Sequence, residues 1–284
     1  MKSSPMLDGL ILNSHTRHLL EDYLANPAQA MLLTGPVGVG LGTIAQTLGH
    51  QLAGVSVVYL APTLHNAQKT AIINADDIEY ITGIVRDKRS DRLVIVMDDV
   101  DKTAPGVFER ILKIVEEPVP NVYYLFTTHN PIAIPRTIIS RSQVIDVRKP
   151  NANDCDKLLA GIDAAKRTQV KFLANRCPAT MGRLINNPDD FAKAAQQMTS
   201  AKQFITGNTD FRLGLVAQFK DRADAIEFIG MLANLTEYIH KSGSIQYDTR
   251  LARNLQLIST IADRLNTNGN VKAQLLNLAV CYNW

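Results

Sequence analysis

Residues 94–147 read VIVMDDVDKTAPGVFERILKIVEEPVPNVYYLFTTHNPIAIPRTIISRSQVIDV. The segment holds three apolar runs, ending at Asp98-Asp99, at Thr127-Thr128 and at Val147. None of the three shows strict polar alternation. Runs of this kind predict strands buried on both faces, the pattern of a parallel sheet covered by helices. Between the first two runs, Val107, Ile111, Leu112 and Val115 recur at helical spacing, and Pro118 ends the helix they predict.

Working outward, AMLLTG (30–35) and VSVVYLA (55–61) are further strand candidates, with TIAQTLGHQLA (43–53) as a helix between them. Alternating strands and helices predict an α/β domain with a doubly wound parallel sheet over residues 1–149. After Lys149-Pro150 the strand signals stop. NANDCDKLLAGIDAAK offers Asn and Asp for a helix N-cap, and 150–203 reads as a small helical domain broken at Cys177-Pro178 and Asn187-Pro188. Residues 204–284 read as wholly helical. Leu251, Leu255, Ile258, Ile261 and Leu265 form one apolar stripe, and Val271, Leu275, Leu278 and Ala279 another. Such stripes mark core, not a cofactor box.

The turn after the first strand, LLTGPVGVGLGT (32–43), is that of a phosphate-binding loop. Such a loop surrounds an anion with backbone N–H groups and a helix N-terminus, a Lys neutralises the outer phosphates, and a Ser/Thr hydroxyl holds magnesium. Counting from Gly35 to Gly40, the Lys position is Leu41 and the hydroxyl position Gly42. Thr43 stands one residue late. The backbone chemistry of the loop survives in this sequence, while both charged-phosphate functions are missing.

Asp98-Asp99 closes an apolar strand, where a first carboxylate would sit beside magnesium and a Glu would normally follow to polarise water. Asp99 is one methylene shorter than that Glu. Ser140-Arg141-Ser142 lies just before the last strand candidate, a place from which a guanidinium can reach a neighbour's nucleotide.

Bulk properties remove several function classes. A net charge of +3 over 284 residues is too small to mark a nucleic-acid binder by itself, so any such contact must be local. Lys69, Arg86, Lys88 and Arg89 are the candidates for it, although RDKRSDR also reads as a solvated loop. Cys155, Cys177 and Cys281 are far apart and form no C-x-x-C pair, and His15 and His18 have no second pair of ligands, so no metal site is expected. With no signal pattern at the start and no apolar window long enough to span a bilayer, a cytoplasmic protein without membrane contact is expected.

Taken in order, the acid pair, the helix ending Glu116-Glu117-Pro118, the strand YLFTT and the Ser-Arg-Ser turn resemble the clamp-loader branch of the AAA+ ATPases. MGRLIN, with Gly182-Arg183, resembles the second sensor of that family's lid, and LNTNGNVKAQLLNLAV the last helices of the bacterial loader's collar domain. The resemblance implies an AAA+ domain (1–149), a helical lid (150–203) and an all-α collar (204–284). Thr127 and Thr128 fall on the first sensor, with Thr128 and Arg183 as sensor positions. Arg141 becomes an arginine finger acting in trans, while Gly35, Gly40, Leu41, Gly42, Thr43, Asp98 and Asp99 become a degenerate nucleotide site.

Motor subunits of the family keep Lys and Thr in the loop and usually carry a four-cysteine zinc module. Neither is present, since region 50–80 has no cysteine. The resemblance therefore implies a chain that is not an ATPase by itself, holds no zinc, and leaves ATP and magnesium to its neighbours. Its partners would be gamma/tau-like and delta-like loader subunits, with the sliding clamp and primed DNA reached through the complex. Two other readings stay open: a divergent motor subunit in which Thr43 and backbone amides compensate for the missing Lys, and a stand-alone AAA+-like adaptor.

Overall fold

Five short runs of β-branched and aliphatic residues pair side by side as one parallel sheet, in the order β2-β3-β4-β1-β5. The computed structural model describes residues 7–53, 56–64, 71–85, 91–241, 249–266 and 269–283. Lys69, Arg86, Lys88 and Arg89 lie outside the described residues. The backbone divides into two compact units, Met1–Ile162 with Arg176–Gly182, and Asp163–Asn175 with Arg183–Trp284.

The first unit runs α1 (Ser14–Ala25), β1 (Ala30–Thr34), α2 (Leu41–Ala53), β2 (Val57–Leu60), α3 (Ala75–Val85), β3 (Leu93–Met97), α4 (Phe108–Glu116), β4 (Val122–Thr128), α5 (Arg136–Ile139), β5 (Gln143–Asp146) and α6 (Ala152–Cys155). Successive strand residues point to opposite faces, so each central strand feeds two cores. Ala30, Leu32, Ile95, Met97, Tyr124 and Phe126 pack with Ile78 and Ile81 of α3 and Ile111 and Val115 of α4. Met31, Leu33, Val94, Val96, Leu125 and Ile145 pack with Leu20 and Tyr23 of α1 and Leu41, Ile44 and Leu48 of α2. Each such aliphatic side chain, fully buried, contributes about 1.5–3 kcal/mol. The two layers of helices are thereby fixed to the sheet.

Two expectations change in detail. The edge strands are not buried on both faces: Gln143, Val144 and Asp146 of β5 are exposed, and β2 is only partly covered, because an edge has a neighbour on one side alone. The helix predicted from Val107 onward begins at Phe108, with Val107 as its N-cap, since Pro105 and Gly106, the latter with φ +80°, hold a turn before it. All five strands end at one edge of the sheet. β1 lies between β4 and β5 although its own chain continues to β2, so the loops after β1, β3 and β4 meet at a switch in strand order, where open α/β sheets bind ligands.

In the second unit the chain forms α7 (Ala164–Ala174), then, after α8 (Pro178–Asn186), which begins in the first unit, α9 (Pro188–Thr206), α10 (Thr209–Val216), α11 (Arg222–Lys241), α12 (Thr249–Asn266) and α13 (Val271–Cys281). Short polar side chains start these helices. Asp163 accepts from the backbone N–H groups of Ala165 and Lys166, Asn187 from Asp189 and Asp190, Asn208 from Phe211, and Asn270 from Ala273. The cap expected near residue 151 yields only the four residues of α6, where Asn151 makes no side-chain cap bond. Leu251, Ile258, Ile261, Leu265, Leu275, Leu278 and Ala279 are buried as the stripes predict, whereas Leu255 and Val271 are only partly buried. One member of this core is a cation. Arg212, 6% exposed, donates to the carbonyls of Phe204, Ile205 and Tyr282, and its guanidinium lies 4.9 Å from the Tyr282 ring centroid.

Candidate functional site

The glycine loop joins β1 to α2 and turns through two left-handed residues, Gly38 at φ +83° and Gly40 at φ +98°, a conformation that L side chains rarely adopt. Its tip is held from a distant part of the sequence. The Gly38 carbonyl accepts from the backbone N–H groups of Ala179 (3.0 Å) and Thr180 (3.2 Å), which are unpaired donors of the first turn of α8. A Cβ on Gly38 would meet Thr180 Oγ1 at 1.9 Å, so the loop and the helix end fit only without a side chain there. On the other side, a Cβ on Gly35 would meet the Val147 carbonyl oxygen at 2.8 Å.

Leu41, at the position where a phosphate-binding loop carries its Lys, is 1% exposed and belongs to the α1/α2 core. At Gly42 the space for a side chain is taken by Asp98. A Cβ built there would stand 2.6 Å from Asp98 Oδ2 and 3.0 Å from Oδ1. Thr43 is exposed and lines the same cleft.

Asp98 is held from two more sides. Tyr59, on β2, donates its hydroxyl to Oδ2 at 2.5 Å, and Thr127, at the end of β4, donates to Oδ1 at 2.5 Å. Burial, followed by the Asp98 hydrogen bond, pushes the Tyr59 hydroxyl well above the usual tyrosine pKa, so it stays a donor at neutral pH. Thr127 is fully buried and also accepts from the Asp99 backbone N–H at 2.9 Å, tying the end of β4 to both acids. Asp99 itself adopts a left-handed backbone, φ 48°. Its Oδ2 lies 2.6 Å from Lys102 Nζ and its Oδ1 3.8 Å from His129 Nε2. The other ring nitrogen of His129 is 2.8 Å from the Gly35 carbonyl, which requires a proton on Nδ1. Thr128 turns elsewhere, donating to Asp101 at 2.7 Å.

These groups enclose a cleft of about 290 Å³ lined by Gly38, Gly40, Thr43, Tyr59, Asp98 and His129, among others. A smaller apolar hollow of about 160 Å³ adjoins the glycine loop, with Leu10, Ile11, Val39, Ile44, Leu158 and Pro178 in its wall. Among the described residues no group of three or more His, Cys, Asp and Glu could hold a metal ion. Cys155 and Cys177 are buried thiols and Cys281 an exposed one.

Arg141 is not among the residues that line the cleft. Arg141 follows α5, flanked by Ser140 and Ser142, whose hydroxyls donate to the Thr137 and Ile138 carbonyls and close the turn. Its side chain is 42% exposed. Nη1 donates to the Thr137 carbonyl at 3.1 Å and Nη2 lies 2.8 Å from Glu116 Oε1. Arg183 belongs to the second unit, its Nε 3.8 Å from Asp190 Oδ2. The sequence did not single out Tyr59, Lys102 or His129, and it marked Glu116 only as the end of a helix. The signal for His129 and Lys102 was adjacency to singled-out residues, whereas Tyr59 reaches Asp98 only through the β2–β3 register, Tyr59 opposite Val96.

Residues 55–151 match the family model described as DNA polymerase III, delta subunit. The matched segment holds the acid pair, the strand YLFTT and the Ser-Arg-Ser turn, and it excludes the glycine loop. No curated protein matches the sequence. Among solved structures, a DNA polymerase III gamma subunit-related protein of Thermotoga maritima is similar at TM-score 0.53 and 14% identity, covering 94% of this chain and 98% of that one. The RuvB Holliday junction branch migration motor of the same organism is similar at TM-score 0.53 and 14% identity, over 76% of this chain and 84% of its own. A RuvB point mutant reaches TM-score 0.57, over 87% and 93%. Identities this low speak for the fold alone. Among the described residues no helix is long and apolar enough to cross a membrane.

Proposed function

We propose that this chain, a member of the AAA+ clamp-loader family, is a non-hydrolysing, delta-prime-like subunit of a bacterial DNA polymerase III clamp loader. In this reading residues 1–149 form the AAA+ domain, 150–203 its lid and 204–284 the collar through which it assembles with gamma/tau-like and delta-like subunits. The sliding clamp and primed DNA are reached through that complex, in the cytoplasm.

The observation that carries the reading is the set of side chains around the glycine loop, which offers neither an ammonium nor a hydroxyl at the two positions a nucleotide needs. Leu41 supplies packing where a nucleotide needs an ammonium, and Asp98 lies against Gly42 where magnesium needs a hydroxyl and a free carboxylate edge. Tyr59 and Thr127 engage both Asp98 oxygens, and Lys102 neutralises Asp99. The residues present do not fit magnesium-ATP, and no hydrolytic step is assigned to this cleft. Arg141 has the opposite character. It is accessible, permanently charged and carries N–H donors beyond the two engaged by Thr137 and Glu116. It contacts the γ-phosphate of ATP on an adjacent motor subunit and stabilises charge that develops as the phosphoryl group leaves.

The test is ATP hydrolysis by a loader reconstituted with clamp and primed DNA, comparing complexes with the wild-type chain, with Arg141→Ala, or without the chain. Loss of such an arginine costs about 10³-fold or more at the one site it serves. In a ring with several sites the expected result is a partial drop with assembly intact, and loss of stimulation when the chain is left out. Equal turnover without the chain would overturn the loader assignment and favour a stand-alone adaptor. Magnesium-dependent ATP binding by the isolated chain would overturn the non-hydrolysing part.

A further inference from the structure

We infer that Glu116 is a counter-ion latch for Arg141, holding the guanidinium on this chain's own surface until an anion on a neighbouring subunit displaces it. The inference rests on the trans-acting reading of Arg141 proposed above.

Both terminal nitrogens of Arg141 are engaged within the chain, Nη2 by Glu116 Oε1 at 2.8 Å and Nη1 by the Thr137 carbonyl at 3.1 Å. Glu116 is the last residue of α4. The chain leaves the helix at Glu117, at φ −120° and ψ 65°, and Pro118 prevents its continuation. A carboxylate at a helix C-terminus faces the negative end of the helix dipole and gains from a cation beside it. Thr137 likewise lies in the short α5, whose carbonyls near Arg141 are helix-end acceptors. Arg141 therefore neutralises α4 and closes α5 in the free chain. Both roles occupy the end of the fork that a phosphoryl group would use for a two-point contact.

The latch is built to open. The two side chains are 42% and 40% exposed, so water and salt screen their attraction. Exposed pairs of this kind shift an equilibrium by about 1.5- to 5-fold. A phosphoryl anion, with more charge and more acceptor oxygens than one carboxylate, can displace Glu116 without disturbing the core. The carboxylate still has an effect. Before displacement it cancels the charge of Arg141, which lowers the attraction of the free chain for stray anions.

Two measurements separate the latch from the reading beneath it. In the isolated full-length chain, modification of Arg141 by phenylglyoxal, followed by peptide mass spectrometry, should run about 1.5- to 5-fold faster in Glu116→Gln than in wild type at low salt. That difference should shrink in about 1 M salt, and the exposed Glu109→Gln on the same helix should not show it. In the reconstituted loader, Glu116→Gln should raise kcat/KM for stimulated ATP hydrolysis by a similar factor, and should have no effect once Arg141→Ala is present. An unchanged modification rate in Glu116→Gln overturns the latch and leaves the trans-acting reading standing. Faster modification with unchanged turnover, while Arg141→Ala alone lowers turnover, overturns the claim that the latch gates the neighbour's site. If Arg141→Ala itself leaves turnover intact, the trans-acting reading fails and the gate with it.

Discussion

Gly42→Ala tests whether Asp98 fills the space beside Gly42. Gly42 is the second residue of α2, where alanine is ordinarily the better helix former by up to about 1 kcal/mol. Here the new Cβ would lie 2.6 Å from Asp98 Oδ2, and ordinary contact begins at 3.4 Å. The carboxylate must recede, yet Tyr59 and Thr127 hold it at 2.5 Å from opposite oxygens. Tyr59 is partly exposed and can turn to water; Thr127 is fully buried and cannot. A hydrogen bond to an ionised group is worth about 1.5–3 kcal/mol, so loss of the Thr127 contact outweighs the propensity gain. The expected result is a net destabilisation of about 1–2 kcal/mol. Gly83→Ala in α3, where a Cβ meets nothing within 4 Å, supplies the control and should stabilise by about 0.5–1 kcal/mol. Amide hydrogen exchange in β1, β3 and α2 is the suitable assay, because the two units need not unfold together. In an Asp98→Ala background the penalty should vanish. If Gly42→Ala protects these amides as well as Gly83→Ala does, Asp98 does not fill that space and the argument for an obstructed magnesium seat falls.

Two further outcomes follow from buried groups. Arg212→Ala would leave the carbonyls of Phe204, Ile205 and Tyr282 without their buried donor, at about 3–5 kcal/mol, and thermal melting of the second unit should show it; recovery of full stability by Arg212→Lys would refute the need for a fork. Burial pushes the Cys155 and Cys177 thiols above their ordinary value of 9.0, so the folded chain retains protons that the unfolded chain releases. Their contribution is therefore complete below about pH 9 and lost as pH rises toward the folded values. The fall in melting temperature between about pH 9 and pH 10 should be shallower in Cys155→Ala/Cys177→Ala, and an unchanged slope would exclude the thiols as its cause.

The central strands and the α/β alternation were legible because burial on both faces leaves continuous apolar runs, as in LVIVM and VYYLFTT. The stripe on α12 was legible for the same kind of reason, since 3.6-residue spacing survives in one dimension. Contacts across long separations were not. Tyr59 meets Asp98 through strand register, and Thr180 meets Gly38 through packing that no local pattern encodes. Arg212 carries no local signal of burial, because nothing nearby in the sequence announces three carbonyls gathered from residues 204, 205 and 282. Leu41 and Gly42 showed in the sequence which side chains were missing, and only the structure shows what stands in their place.

That replacement gives the loop a direction in substitution space. Restoring a hydroxyl at position 42 brings its Cβ against Asp98, and restoring an ammonium at position 41 sends a charge toward a core that now holds Leu41 almost completely buried. Each reverse step taken alone costs stability before it can recover any phosphate chemistry. Placing both groups would require loosening Asp98 from Tyr59 or Thr127 and reshaping the α1/α2 core together.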